Sequence, residues 1–412
     1  METRTRADPE LDSTELLLDL AAALHGAYLP ADELERRIRE VARGLHVDGE
    51  IFTSQTLAAV DLQGSPGARL RRIAFSPHWN LSRLHALVDL CDGIAAGRIG
   101  LAAARPELDR IASAPRRYRH ALVVAASAVY AAAVAARVGG GGSEMLAAGF
   151  IGIVAGVIQF GGLRFPSLDL QKSFLATFAG TLAAVTLGQS LLPFNAERAI
   201  FGAMTLLIPA MVVTIGAHEV ATEESVEAGF VRLAYGLLRF LMLALGTVAA
   251  AKLWLLFGGL PAPVPAHGLP TAAVVAILVP GGLALVVVVQ GRARDAGWMV
   301  AAVLVAWGAE KLTKEAFGSD GSPFLATFAL GVFAYVQARL PGHLPATVIF
   351  PGLMQIAPGF LGAETVVALL RPSAADAGKT FLHVLLVALQ IVTGLMAASL
   401  AQGSVARRAT AT

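Results

Sequence analysis

Cysteine is almost missing from this chain: among 412 residues there is one, Cys91. A single thiol excludes a disulfide framework and a cysteine-based metal site, and burial in a helix is the ordinary expectation for it. Charge is scarce as well. Asp, Glu, Lys and Arg make up 15% of the residues and the formal net charge is +2, well under the soluble average of about 25% charged residues. No basic stripe with interleaved aromatics occurs, so no nucleic-acid partner is expected. The signatures of hydrolytic and nucleotide chemistry are missing too. There is no Walker loop and no Gly-x-Ser-x-Gly elbow, and His218-Glu219 is followed by Thr222 where a second zinc-binding His would stand. The chain is therefore not read as an enzyme, and no cofactor or metal is expected.

What is abundant is apolar. Hydrophobic residues account for 56% of the chain, and they are unevenly spread. Residues 1–117 mix Asp, Glu and Arg densely, whereas the rest consists of long apolar stretches broken by short polar loops. No signal-peptide pattern falls in the first 30 residues, and the first long apolar stretch starts near Ala121, so the N-terminal part is expected to stay in the cytosol. The segmentation is 1–117 as a small cytosolic α/β domain, then 118–260 and 261–412 as two transmembrane halves.

Within the first part, Leu34, Ile38, Val41 and Leu45 recur at helical spacing behind Pro30 and predict an amphipathic helix. Glu50 to Leu62 and Leu70 to Phe75 are short and β-favouring and flank Gly64-Ser65-Pro66-Gly67, as strands around a turn do. Asn80 can cap a helix carrying Leu81, Leu84, Leu87 and Val88, and a further helix is expected over Leu101 to Ile111.

A membrane-crossing helix needs about 20 apolar residues. Apolar segments lie near 120–138, 145–163, 173–194, 199–216, 233–257, 270–290, 296–310, 322–338, 345–370 and 379–402, which predicts about ten spans. Lys and Arg concentrate in alternate loops, among them Arg116, Arg117, Arg119, Arg292 and Arg294. That asymmetry agrees with a cytoplasmic N-terminus.

Two spans share a segment. Phe174-Leu175-Ala176-Thr177-Phe178-Ala179 recurs as Phe324-Leu325-Ala326-Thr327-Phe328-Ala329, five spans later, and Thr205-Leu206-Leu207-Ile208-Pro209 is echoed by Thr347-Val348-Ile349-Phe350-Pro351. An odd offset places the two copies in opposite orientations, so the fold class expected is a polytopic α-helical membrane protein with an inverted 5+5 repeat.

Prolines fall inside the expected spans at Pro209, Pro280, Pro351 and Pro358. Each removes a backbone hydrogen bond, which membrane depth tolerates only where protein or water satisfies the carbonyl left over. Broken helices present amide dipoles to substrate carboxylates. Pro209, Pro351 and Pro358, with Thr214, Gln189 and Gln355 as hydrogen-bonding side chains, are the candidate substrate-binding residues. His218 and Glu219 are the candidates for proton coupling, since a carboxylate beside an imidazole can titrate near neutral pH.

Several stretches together resemble the threonine/serine exporter family. Leu16 to Ala27, Leu34-Glu35-Arg36-Arg37-Ile38, Phe52-Thr53-Ser54-Gln55-Thr56, Leu70-Arg71-Arg72-Ile73, Asn80-Leu81-Ser82-Arg83-Leu84 and Leu108-Asp109-Arg110-Ile111 look like its N-terminal domain. Leu207-Ile208-Pro209-Ala210, Glu219-Val220-Ala221-Thr222 and Ser225-Val226-Glu227-Ala228-Gly229 with Arg232 are similar to its central motifs, and Phe350-Pro351-Gly352-Leu353 and Ala357-Pro358-Gly359 to its second-half motif. Ala210 stands where the family often has Gly. The resemblance implies a ten-span plasma-membrane carrier that exports small hydrophilic metabolites, typically threonine and serine, driven by the proton gradient or membrane potential. The partners expected are an amino-acid substrate and the lipid bilayer, and a homo-oligomer is admitted. A dicarboxylate exporter, and a membrane sensor or scaffold acting through the cytosolic domain, remain the alternatives.

Overall fold

The structure is a computed structural model that describes residues 9–54, 56–63, 67–73, 79–160, 169–190, 193–221, 226–259, 264–265, 267–318, 321–356, 382 and 386–401. It divides into two compact units. The first joins residues 1–117 with Ile215–Leu233, and the second holds Tyr118–Thr214 and Ala234–Thr412.

In the first unit, α1 (Pro9–Gly26) and α2 (Ala31–Gly44) precede a hairpin-linked sheet of β1 (Gly49–Thr53), β2 (Leu57–Leu62) and β3 (Arg69–Arg72), followed by α3 (Leu81–Ala95) and α4 (Leu101–Ser113). The expected stripe on α2 is present: Leu34, Ile38 and Val41 are buried, and Pro30 sits at the N-cap. Leu45 lies just beyond the helix as its C-cap.

The span Glu50 to Leu62 is two antiparallel strands rather than one. Gly49 pairs with Leu62 and Thr53 with Ala58, and the reversal is closed by Ser54 N–H donating to the Leu57 carbonyl at 2.8 Å. β2 also pairs antiparallel with β3, from Leu57 opposite Arg72 to Val60 opposite Arg69. Ala58, Val60 and Leu62 point to the core, as alternation along a strand with one buried face requires. Glu35 of α2 fixes β1 in place by accepting from both the N–H (2.9 Å) and the hydroxyl (3.0 Å) of Thr53. The Asn80 side chain accepts from Arg83 N–H at 3.0 Å, the N-cap bond expected of it. Residues 64–66 of the expected turn lie outside the described residues. Cys91 is buried in α3, and burial pushes its thiol up to about 12.

The second unit is helical: α5 (His120–Arg137), α6 (Gly142–Phe160), α7 (Asp169–Ser190), α8 (Ala196–Met204) running into a 3-10 turn at Thr205–Leu207, α9 (Ala210–Ala221), α10 (Val226–Trp254), α11 (Thr271–Val288), α12 (Ala296–Phe317), α13 (Ser322–Ala338), α14 (Ala346–Ile356) and α15 (Leu386–Ala401). The end of α9 and the start of α10 belong to the first unit. Among the described residues, four helices are long and apolar enough to cross a membrane: α5, α6, α10 and α11. The bent pair formed by α8 with its 3-10 turn and α9 would make a fifth. Leu146 and Phe150 on α6 and Leu241 and Leu245 on α10 are exposed, and rows of large apolar side chains left open in this way suit lipid contact.

Two sets of helices in this unit pack alike. α6 lies against α5, α7 and α8, and α12 lies against α11, α13 and α14. The shared hexapeptides are used identically. A Cβ at Gly246 of α10 would collide with Thr177 Oγ1 and the Phe174 carbonyl of α7, and one at Gly394 of α15 would stand 2.6 Å from the Phe324 carbonyl and 3.1 Å from Thr327 Cβ on α13. Thr177 and Thr327 are both fully buried and each hydroxyl turns back onto its own helix, toward Ser173 O at 3.1 Å and Pro323 O at 2.6 Å.

A buried carboxylate opens the matching helices as well. Glu144 of α6 accepts from the N–H groups of Gly141 (2.7 Å) and Asn195 (2.8 Å). Asp295, at the N-cap of α12, accepts from Arg292 at 2.6 Å and faces His343 Nδ1 at 3.6 Å. Glu144 thus ties α6 to the loop before α8, and Asp295 ties α12 to the loop before α14.

Two measurements check this account. Gly246→Ala and Gly394→Ala should each destabilise the purified protein by about 1–3 kcal/mol through overpacking, seen as a lowered thermal midpoint; a loss at one site with none at the other would break the equivalence. A maleimide probe should leave Cys91 unmodified in the native protein and modify it fully after denaturation.

Candidate functional site

The candidate residues fall into two groups, one in each unit. In the first unit, Glu219 on α9 and Arg232 on α10 form an ion pair, Oε2 to Nε at 3.0 Å, with side chains 0% and 1% exposed. Such burial is tolerable only where the charges meet each other and further hydrogen bonds. Both conditions hold here. Ala31 N–H, at the start of α2, donates to Glu219 Oε1 at 3.1 Å, and Arg232 Nη2 lies 3.1 Å from His25 Nε2 on α1.

The pair requires α9 and α10 to run close together, and glycine permits it. A Cβ at Gly216 would come 2.8 Å from the Gly229 carbonyl, and one at Gly229 would come 2.6 Å from the Gly216 carbonyl. His218, one residue before Glu219, lies with Nε2 3.4 Å from Asp32 Oδ2. Burial raises the Asp32 carboxyl, but the hydrogen bond to His218 and its charge outweigh that and hold it below the ordinary value.

Pro209 is buried at the break between the 3-10 turn and α9, where the chain bends by 57°. Ile208 before it is extended, with ψ 127°, because a residue preceding proline is driven out of the helical region. The break rests on Ala155 of α6, Ala176 of α7 and Leu243 of α10, which pack with Met204 and Leu207. Thr214 is buried on α9.

Pro351 behaves differently from Pro209, since α14 runs through it and Phe350 stays helical. Gln355 is buried one turn further on, and its Nε2 donates to Tyr130 Oη of α5 at 3.2 Å. Tyr130 is 1% exposed and donates in turn to the Met354 carbonyl at 3.1 Å. Gln189 is exposed near the end of α7 and its amide donates to the Gly259 carbonyl. Pro358 lies outside the described residues.

The structure thus brings His218 and Glu219 together with Asp32, His25 and Arg232, and Gln355 together with Tyr130. Asp32, His25 and Tyr130 are absent from the sequence-derived candidates. Tyr130 could have been noticed as an isolated polar group in an Ala- and Val-rich stretch, one of only five tyrosines in the chain. Among the described residues, no group of three or more His, Cys, Asp or Glu side chains is placed to hold a metal ion.

The family model described as "Putative threonine/serine exporter" (ThrE) matches residues 15–254, more than half of the chain. The chain belongs to this family. No curated protein sequence and no solved structure matches it. The ThrE match covers the candidate residues Gln189, Pro209, Thr214, His218 and Glu219, with Arg232 and Tyr130. It stops at the end of α10, before Pro351 and Gln355. Membership places this protein among transporters, and its four to five candidate spans among the described residues are consistent with a membrane protein.

The buried pair sets a measurable outcome. Glu219→Leu and Arg232→Met should each lower stability by roughly 3–5 kcal/mol, because each strands a buried charge. The double variant should recover a large part of that loss. Thermal unfolding of the purified full chain checks this, and losses that simply add would show the two charges to be independent.

Proposed function

We propose that this protein is a secondary active exporter of threonine and serine, driven by the proton motive force across the plasma membrane. Membership of the ThrE family carries the reading, and the broken helix at Pro209 supports it. An apolar helix pair bent by 57° at a buried proline has helix ends inside the unit, and helix ends supply the dipoles that bind small zwitterions at membrane depth.

In this reading about ten spans form an inverted 5+5 repeat, with residues 1–117 on the cytoplasmic side. The matched seating of Gly246 and Gly394 on the two hexapeptides supports the repeat, as does the parallel use of Glu144 and Asp295. Pro209, Thr214, Pro351, Pro358 and Gln355 contribute to the substrate path, with Gln189 toward one end of α7.

His218 and Glu219 are assigned to proton coupling. Any movement that draws Glu219 away from Arg232 leaves a carboxylate buried without its counter-ion, and such a group takes up a proton. Asp32 and His218 at the same helix end offer a polar route to it.

Cells loaded with a threonine-containing dipeptide and expressing this protein should release threonine or serine faster than controls, and an uncoupler should abolish the difference. Release of a dicarboxylate in place of amino acids would overturn the substrate assignment. Normal proton-driven export by Glu219→Gln would remove Glu219 from the coupling step.

A further inference from the structure

Four glutamines, Gln159, Gln337, Gln355 and Gln390, have a buried amide oxygen without a hydrogen-bond partner among the described residues. Gln355 has its other end fixed by a hydroxyl from a different helix. Its Nε2 donates to Tyr130 Oη at 3.2 Å, and the Tyr130 proton is committed to the Met354 carbonyl at 3.1 Å. These bonds decide which end of the amide is nitrogen, so Oε1 is held in one direction as an acceptor. The side chain is 1% exposed. A buried acceptor left unmet costs about 1–3 kcal/mol, and native proteins seldom keep one without a use.

The two helices that hold it bear on what can meet it. α14 carries no charged residue from Ala346 to Ile356. On α5 the ionisable side chains are His120 and Arg137 at the two helix ends, and Arg137 Nη2 pairs with Glu310 at 2.5 Å. A second carboxylate would therefore find no cation beside Gln355 on these two helices, the α5 cations lying at its ends, whereas an ammonium finds an amide oxygen free to accept. Pro351 lies one turn before Gln355 on the same face of α14, where its missing N–H loosens the helix.

We propose that Gln355, positioned by Tyr130, accepts a hydrogen bond from the ammonium group of the transported amino acid, and so selects a zwitterion over a dicarboxylate or a hydroxy acid. The assignment rests on the exporter reading above. Gln355 is the contacting group, and Tyr130 acts through it.

The test uses the full chain in phosphatidylcholine vesicles and follows exchange of labelled L-threonine. Unlabelled L-serine, succinate and 2,3-dihydroxybutyrate, which carries a hydroxyl in place of the ammonium, serve as competitors. Wild-type exchange should be inhibited by serine and hardly by the other two. Gln355→Leu should raise the half-saturation for threonine by roughly tenfold or more, about 1.4 kcal/mol, and erase discrimination against the hydroxy acid. Tyr130→Phe, which keeps the ring and releases the amide, should move both readings the same way by a smaller factor.

If either variant that reaches the membrane keeps wild-type half-saturation and discrimination, Gln355 is not the ammonium acceptor while the exporter reading stands. Exchange of succinate without threonine in the wild type would overturn that reading, and this assignment with it.

Discussion

Helices in the second unit meet backbone to backbone, and much else in the structure depends on that closeness. Between apolar helices in lipid the hydrophobic effect supplies little attraction, so association rests on packing and on small residues that let the backbones approach. The glycine seats at 246 and 394 show how tight the fit is, since an added methyl group has nowhere to go without moving a carbonyl. The small side chains Ala131, Ala135, Ala147, Ala148 and Ala184 fill the core between α5, α6 and α7 for the same reason. Such contacts are individually weak and collectively exacting, so the bundle tolerates few alternatives in register.

Against this dry packing the charged groups stand out by being matched. Glu219 with Arg232, Arg137 with Glu310, and Arg292 with Asp295 each join an acid to a base within 3.0 Å. Glu144 has backbone N–H groups as its partners instead. Charges of this kind add little net stability compared with well-packed apolar groups, but they penalise any arrangement that separates them. They fix which ends of which helices belong together.

The sequence made the local features readable because periodicity and composition are local. The α2 stripe, the Asn80 cap and the positions of the apolar segments follow from spacing alone, and the hexapeptide repeat pointed to two helices that are packed in the same way. Other features depend on partners distant in the chain. The split of Glu50 to Leu62 into two strands is set by pairing, and nothing in that short run signals a reversal as strongly as Gly or Pro would. Pro209 and Pro351 look equivalent in sequence, yet one sits at a break and the other inside a helix. The neighbours of each proline, not the proline itself, decide that. Tyr130 and Gln355 are separated by most of the second unit's length, so their contact is invisible to any window along the chain.

The discontinuity of the first unit governs the order of assembly. Residues 1–117 leave the ribosome well before Ile215–Leu233 exists, yet Ala31 N–H bonds to Glu219 and His25 meets Arg232 in that later segment. The N-terminal part must therefore persist incomplete while the intervening helices are synthesised, with the seat for Arg232 unfilled. Closing a contact across such a sequence separation is slow compared with local folding. Completion of the first unit is in effect a report that the chain has been made into the start of α10 and that the end of α9 and the start of α10 have come together.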